Sequence, residues 1–120
     1  MKIDFNGKTA IVTGAAHGFG RAISLAFALR GANVWACDVI EDELFETQRL
    51  ALAAGGKCTA RKVDVRDKHA VEQFVADASE STGHIRILVN NAGGVLGQVG
   101  RPLEDVSPEQ WNDIFAVNVS

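Results

Sequence analysis

Tyrosine is absent from all 120 residues, so no mechanism that needs a tyrosine acid or base can run on these residues alone. Cysteine is nearly absent. Cys37 and Cys58 stand 21 positions apart, without a C-x-x-C motif or a histidine at metal spacing. That arrangement argues against a zinc site or redox pair and for two reduced, buried thiols, and no metal is expected. No cluster of lysine or arginine occurs, and 12 basic against 15 acidic residues leave a net charge of -3. Such a chain has no long-range attraction for nucleic acid or for an anionic membrane surface. No apolar run approaches the length of about 18 residues that a membrane-spanning helix requires. The opening MKIDFNGK carries charges and a glycine, so neither a signal-peptide core nor a span starts there. The expected location is cytoplasmic, with neither nucleic acid nor membrane as partner.

With 47% hydrophobic and 22% charged residues, the composition is that of an ordinary globular domain. A chain of this size buries roughly two-thirds of its unfolded surface, enough for a real core. Short apolar runs alternate with segments of helical period, the pattern of βαβ units around a parallel sheet covered on both faces. Strands are predicted at Thr9 to Thr13, Asn33 to Cys37, Lys57 to Val63 and Ile85 to Val89. The first helix is predicted from Gly18 to Arg30, with Phe19, Ile23 and Phe27 as its sheet-facing stripe and Gly31 as a left-handed stop. A second runs from Glu41 to Ala54, its acidic opening suited to the positive end of the helix dipole. In the third, Asp67 is the N-cap, Ala70, Val71, Phe74, Val75 and Ala78 form the inner face, and Gly83 closes the helix. Beyond a glycine-rich loop, Ser107-Pro108-Glu109-Gln110 reads as the start of a fourth helix, with Trp111, Ile114, Phe115 and Asn118 facing inward. The chain then ends, on this reading, inside that helix.

The strongest local signal is Thr13-Gly14-Ala15-Ala16-His17-Gly18-Phe19-Gly20, where a buried strand turns into a helix. A helix N-terminus offers unpaired N–H groups and partial positive charge, and glycines let a pyrophosphate approach without meeting Cβ atoms. Asp38 follows the second strand, 18 residues after Gly20, near the spacing at which an acid meets the ribose of a dinucleotide. Its charge favours NAD over NADP; the competing reading is a cap for the helix that begins at Glu41. His17 complicates the preference, because a protonated imidazole there would tolerate an added phosphate.

Other residues admit two readings each. Asp64, with the Val65 amide beside it, suits either an adenine contact or a loop cap. Asn90 and Asn91 close the fourth strand, which flanks the first where strand order reverses, and Ala92 and Gly93 leave room for a sugar. An asparagine turn explains Asn90 but not the whole run. Asn118 is either a buried amide satisfying local backbone or a support for water and a polar active-site group. His69 and His84 have no assigned role.

Taken together, these residues resemble the N-terminal half of a single-domain short-chain dehydrogenase/reductase. Thr13 to Gly20 is similar to that family's TGxxxGxG cofactor turn, with Phe19 where isoleucine is usual. Asp38 resembles its NAD-selecting acid, Asp64 its adenine contact, and Asn90 to Gly93 its NNAG segment. The resemblance implies an α/β, Rossmann-like doubly wound parallel sheet whose first four strands lie in the order 3-2-1-4. It also implies hydride transfer between NAD and a secondary alcohol or ketone, a part for Asn118 in a proton relay, and a homotetramer or homodimer at full length. The family's catalytic serine and Y-x-x-x-K pair have no counterpart here, so the 120 residues alone are expected to be inactive. The segment Ile85 to Val89 is expected to form a bare, apolar sheet edge. Two other readings share the glycine-rich turn: a non-catalytic dinucleotide-binding module, and a methyltransferase using S-adenosylmethionine, against which the Asn90 to Gly93 run speaks.

Overall fold

A computed structural model of the chain describes residues 4–82, 85–91 and 115–118. In chain order the elements are β1 (Thr9–Thr13), α1 (Gly18–Leu29), β2 (Asn33–Asp38), α2 (Glu41–Ala53), β3 (Lys57–Lys62), α3 (Lys68–Thr82), β4 (Ile85–Asn90) and β5 (Phe115–Asn118). The strands form one sheet in the order β3-β2-β1-β4-β5, and every neighbouring pair is parallel. The predicted 3-2-1-4 order and the doubly wound, Rossmann-like arrangement are both present. After β3 the chain crosses back to the other side of β1, so β1 and β4 flank the point where strand order reverses.

Alternation along β1 and β2 divides the core into two layers. Ile11, Trp35 and Cys37 pack with Val71, Phe74, Val75 and Ala78 of α3. Ala10, Val12, Val34 and Ala36 face the other way, against Ala28 of α1 and Leu44 and Ala51 of α2. Every residue of β1 is therefore buried, which is why the run reads as continuously apolar. In β4 the alternation breaks: Ile85 faces the α3 layer while Ile87 faces the other. The register with β1 shifts between Thr9 and Ala10, whose partners are Ile85 and Ile87. Arg86 is the extra residue of this bulge and is exposed, so a charged side chain in a buried strand costs no core volume.

Three expectations are corrected. The stripe of α1 that meets the sheet is Gly20, Ser24 and Ala28 rather than one led by Phe19, which is 68% exposed. Small side chains let α1 settle close to the sheet, and Ile23 and Phe27 pack only at its flanks. The predicted fourth helix is not continuous to Asn118, because Phe115–Asn118 is strand β5, paired in parallel with β4. Phe115-Ala116-Val117 is a short apolar run that serves either period, and pairing with β4 satisfies its backbone along a whole ladder. For the same reason the expected bare edge at Ile85 to Val89 is occupied from Ile87 onward. Residues 92–114, including Ser107, Trp111 and Ile114, lie outside the described residues, as do Gly83 and His84.

The α3 layer carries the large side chains. Phe74, 1% exposed, meets Trp35 edge-on with ring centroids 5.8 Å apart, and the Arg61 guanidinium lies 5.6 Å from the Phe74 centroid and 5.7 Å from that of Trp35. Arg61 also binds Asp77 at 2.6 Å, which, with Gln73, holds that carboxyl below the usual carboxylate range. Phe74→Ala is expected to cost about 3–5 kcal/mol through lost burial and a residual cavity, read from the urea unfolding midpoint.

Candidate functional site

The site lies at the carboxyl ends of β1, β2 and β4. After Thr13 the backbone enters the left-handed region at Gly14 (φ 64°), returns to extended geometry at His17 and is left-handed again at Gly18 (φ 58°), where α1 begins. A Cβ on Gly20 would lie 1.8 Å from the Gly14 carbonyl oxygen, so only glycine lets the first turn of α1 sit this close to the strand end. No side chain caps the N-terminus of α1 and no acidic residue stands in its first turn. Around Gly18 the space that a Cβ would enter is open. The N–H groups of Gly18, Phe19 and Gly20 precede the first i−4 bond of the helix, which Arg21 makes to the His17 carbonyl.

Asp38 is aimed at the turn. Its Oδ2 accepts the Ala16 N–H at 3.0 Å, while Oδ1 accepts the N–H groups of Val39 and Ile40 at 2.6 and 3.2 Å. One oxygen braces the chain leading to α2 without capping the helix itself, whose N-cap is Ile40 with no side-chain cap bond, and the other reaches the glycine-rich turn. The Ala15 N–H donates to the Cys37 carbonyl at 3.1 Å, a second stitch between the turn and β2. On the opposite side, Thr13 Oγ1 bonds Asn90 Oδ1 and Asn91 Nδ2 donates to the Gly14 carbonyl, both at 3.1 Å. The asparagine pair thus latches β4 to the turn across the point where strand order reverses.

His17 is exposed, and its Nδ1 lies 2.8 Å from Glu43 Oε1 in the first turn of α2. Asp64, two residues beyond β3, is held locally by Arg66, whose side chain and backbone N–H both donate to it. Those bonds pull its carboxyl down to about 2. The loop-cap reading describes Asp64 as it stands, and Val65 beside it is buried in the α3 layer. Asn118 ends β5 in register with Asn90, at the same edge of the sheet. Ala92 and Gly93 lie outside the described residues.

Sequence reasoning missed Thr47 and Arg21. Thr47 is fully buried on α2. Its hydroxyl donates to the Ala15 carbonyl at 2.8 Å and accepts from Arg21 Nε at 2.9 Å, while Arg21 Nη2 donates to the Glu43 carbonyl. The turn and the start of α1 are tied to α2, some 26 to 32 residues away, at one hydroxyl that no local signal marked. Both cysteines are free and buried; burial pushes the Cys37 thiol up to about 12 and the Cys58 thiol to about 11, so neither offers a thiolate. Among the described residues no three potential metal ligands cluster, and no helix is long and apolar enough to cross a membrane.

The family model for short chain dehydrogenase matches residues 8–120. Over 111 residues the chain is 41% identical to a 1-deoxy-11-beta-hydroxypentalenate dehydrogenase of Streptomyces exfoliatus, covering 92% of this chain and 40% of that protein. An uncharacterized NAD-dependent oxidoreductase of Mycobacterium tuberculosis is 38% identical, with 96% of this chain and 46% of that protein covered. Among solved structures, a 7α-hydroxysteroid dehydrogenase complexed with NADH and 7-oxo glycochenodeoxycholic acid superposes with a TM-score of 0.71 at 31% identity, over 75% of this chain and 35% of that one. The chain spans less than half the length of each of these proteins.

Thr47→Val keeps the shape but leaves the Ala15 carbonyl and the Arg21 N–H without their partner. It is expected to destabilise by about 1–3 kcal/mol in urea denaturation. Asp64 bears on acid stability. Its folded-state pKa lies below the ordinary 3.8, so its contribution is complete above that value and is lost as pH falls toward about 2. The pair with Arg66 is exposed, so the effect is small. Asp64→Asn is expected to flatten the fall in thermal midpoint between about pH 4 and pH 2, measured against the native chain.

Proposed function

Since the chain belongs to the short chain dehydrogenase family, we propose that it supplies the dinucleotide-binding half of an oxidoreductase that moves a hydride between NAD and a secondary alcohol or ketone. The observation that carries this reading is the uncapped, acid-free first turn of α1, seated on glycines beside the Asp38 carboxylate. A diphosphate finds there unpaired N–H groups, positive helix potential and no Cβ in its way. Gly14, His17, Gly18, Phe19 and Gly20 are the residues assigned to it.

Asp38 is assigned to the adenosine ribose. A carboxylate has about four acceptor positions, and the three backbone N–H groups it receives leave capacity for a hydroxyl. Its negative charge disfavours a 2′-phosphate, hence NAD in preference to NADP. One relative named as NAD-dependent and one similar structure holding NADH support that choice. Asp64 and Val65 are assigned to the adenine, and Asn91, Ala92 and Gly93 to the passage of the sugar toward the nicotinamide. When bound, the nicotinamide supplies hydride acceptance and donation; the residues of this chain bind and orient. Asn118, brought by β5 to the edge where Asn90 ends β4, is assigned to a proton relay. Family membership alone supports a cytoplasmic homodimer or homotetramer acting on a small-molecule alcohol or ketone.

Calorimetric titration with NAD, NADP and S-adenosylmethionine tests the reading. NAD is expected to bind most tightly, and Asp38→Ala to weaken it by about 1.5–3 kcal/mol, roughly 10- to 150-fold in Kd. Tighter binding of NADP, or no binding of either dinucleotide, would overturn it.

A further inference from the structure

We propose that Glu43 is a second determinant of cofactor choice, acting through His17 to exclude a dinucleotide that carries a phosphate on its adenosine ribose. The proposal rests on the assignment of the turn and Asp38 to a dinucleotide, and deepens it. His17 is the one residue within the turn able to offer a positive donor to such a phosphate. Glu43 removes that offer. Its Oε1 lies 2.8 Å from His17 Nδ1, and a carboxylate only accepts, so the Nδ1 proton is spent on Glu43. The carboxylate also sets a negative charge against the ring, which offsets the attraction the imidazole would offer a phosphate.

The acidic groups around the pair act in the same direction. Glu41, Asp42 and Glu43 form the first turn of α2, and Asp38 stands just before it. The positive end of α2 is partly answered from within: Asp38 takes the Val39 and Ile40 N–H groups, and Asp42 takes that of Glu43. Two of the neighbouring cations are engaged, whereas Lys62, the register partner of Asp38 on β3, is exposed. Arg21 gives Nε to Thr47 and Nη2 to the Glu43 carbonyl, and Arg66 is bound to the Asp64 carboxylate. His17 and Glu43 are 62% and 48% exposed, so an incoming group meets the pair directly. A unit charge about 4 Å from a phosphate in water changes binding roughly fivefold.

The test compares Glu43→Gln with the native chain by titrating NAD and NADP separately. The substitution preserves shape and removes charge, and it is expected to raise the affinity ratio of NADP to NAD about fivefold. Added salt is expected to move the native ratio toward the variant's, since the discrimination is electrostatic. An unchanged ratio, or equal weakening of both cofactors, overturns the role of Glu43 while native NAD binding keeps the parent reading intact. A native chain that binds neither cofactor overturns both.

Discussion

The approach of α1 to the end of β1, with a hydrogen of Gly20 where any other residue has a Cβ, is the constraint on which the rest of the molecule depends. Once a Cβ at that position is forbidden by the Gly14 carbonyl, the turn has few ways to close. Gly14 and Gly18 supply the two left-handed residues that complete it. The axis of α1 then rises from the strand end with its first N–H groups uncovered. A bulkier turn would lift the helix and carry those groups away from Asp38. Thr47 acts on the same geometry from outside, because its hydroxyl fixes the carbonyl of Ala15 and so the orientation of that peptide plane, whose N–H, on Ala16, meets Asp38.

This closeness divides the labour between the two faces of the sheet. The layer under α1 and α2 is built largely from alanine, with Ala10, Ala15, Ala16, Ala28, Ala32, Ala36 and Ala51 all buried. Such a layer is thin and contributes modest transfer free energy per residue. The α3 layer carries Trp35, Phe74, Ile11 and Leu88, where the area removed from water is greater. One face provides stability, and the other provides the short distances that shape the site. The bulge at Arg86 belongs to the same arrangement, since it lets β4 send Ile85 to the thick layer and Ile87 to the thin one without placing a charge in either.

The strand positions, the glycine stop at Gly31 and the inner face of α3 were legible in the sequence because each is a local signal, whereas the sheet order came from the family resemblance. A strand buried on both faces is continuously apolar, and a left-handed stop selects glycine. The inner face of α1 was not legible by hydrophobicity. Phe19, Ile23 and Phe27 make the stronger apolar stripe, but close packing rewards small volume, so Gly20, Ser24 and Ala28 face the sheet. Phe115 to Asn118 fits a helical stripe and a short strand equally, and the outcome is set by a partner strand that local periodicity does not contain. The bonds of Thr47, Arg21 and Glu43 are long-range in sequence, and no spacing rule anticipates them.

The bracing of Asp38 is compatible with the ribose contact proposed for it. A carboxylate that must receive a ribose diol cannot wander among rotamers, because the ordering would be charged against binding. By accepting the Val39 and Ile40 N–H groups with one oxygen and the Ala16 N–H with the other, it is already held in a single orientation by the backbone. The bracing that looks like a structural alternative to ligand recognition would therefore serve it. The same bonds tie β2 to the glycine-rich turn, so the group that would read the sugar also sets the position of the amides that would hold the diphosphate. On the proposed reading, recognition of the two ends of one nucleotide would be coupled through a single side chain.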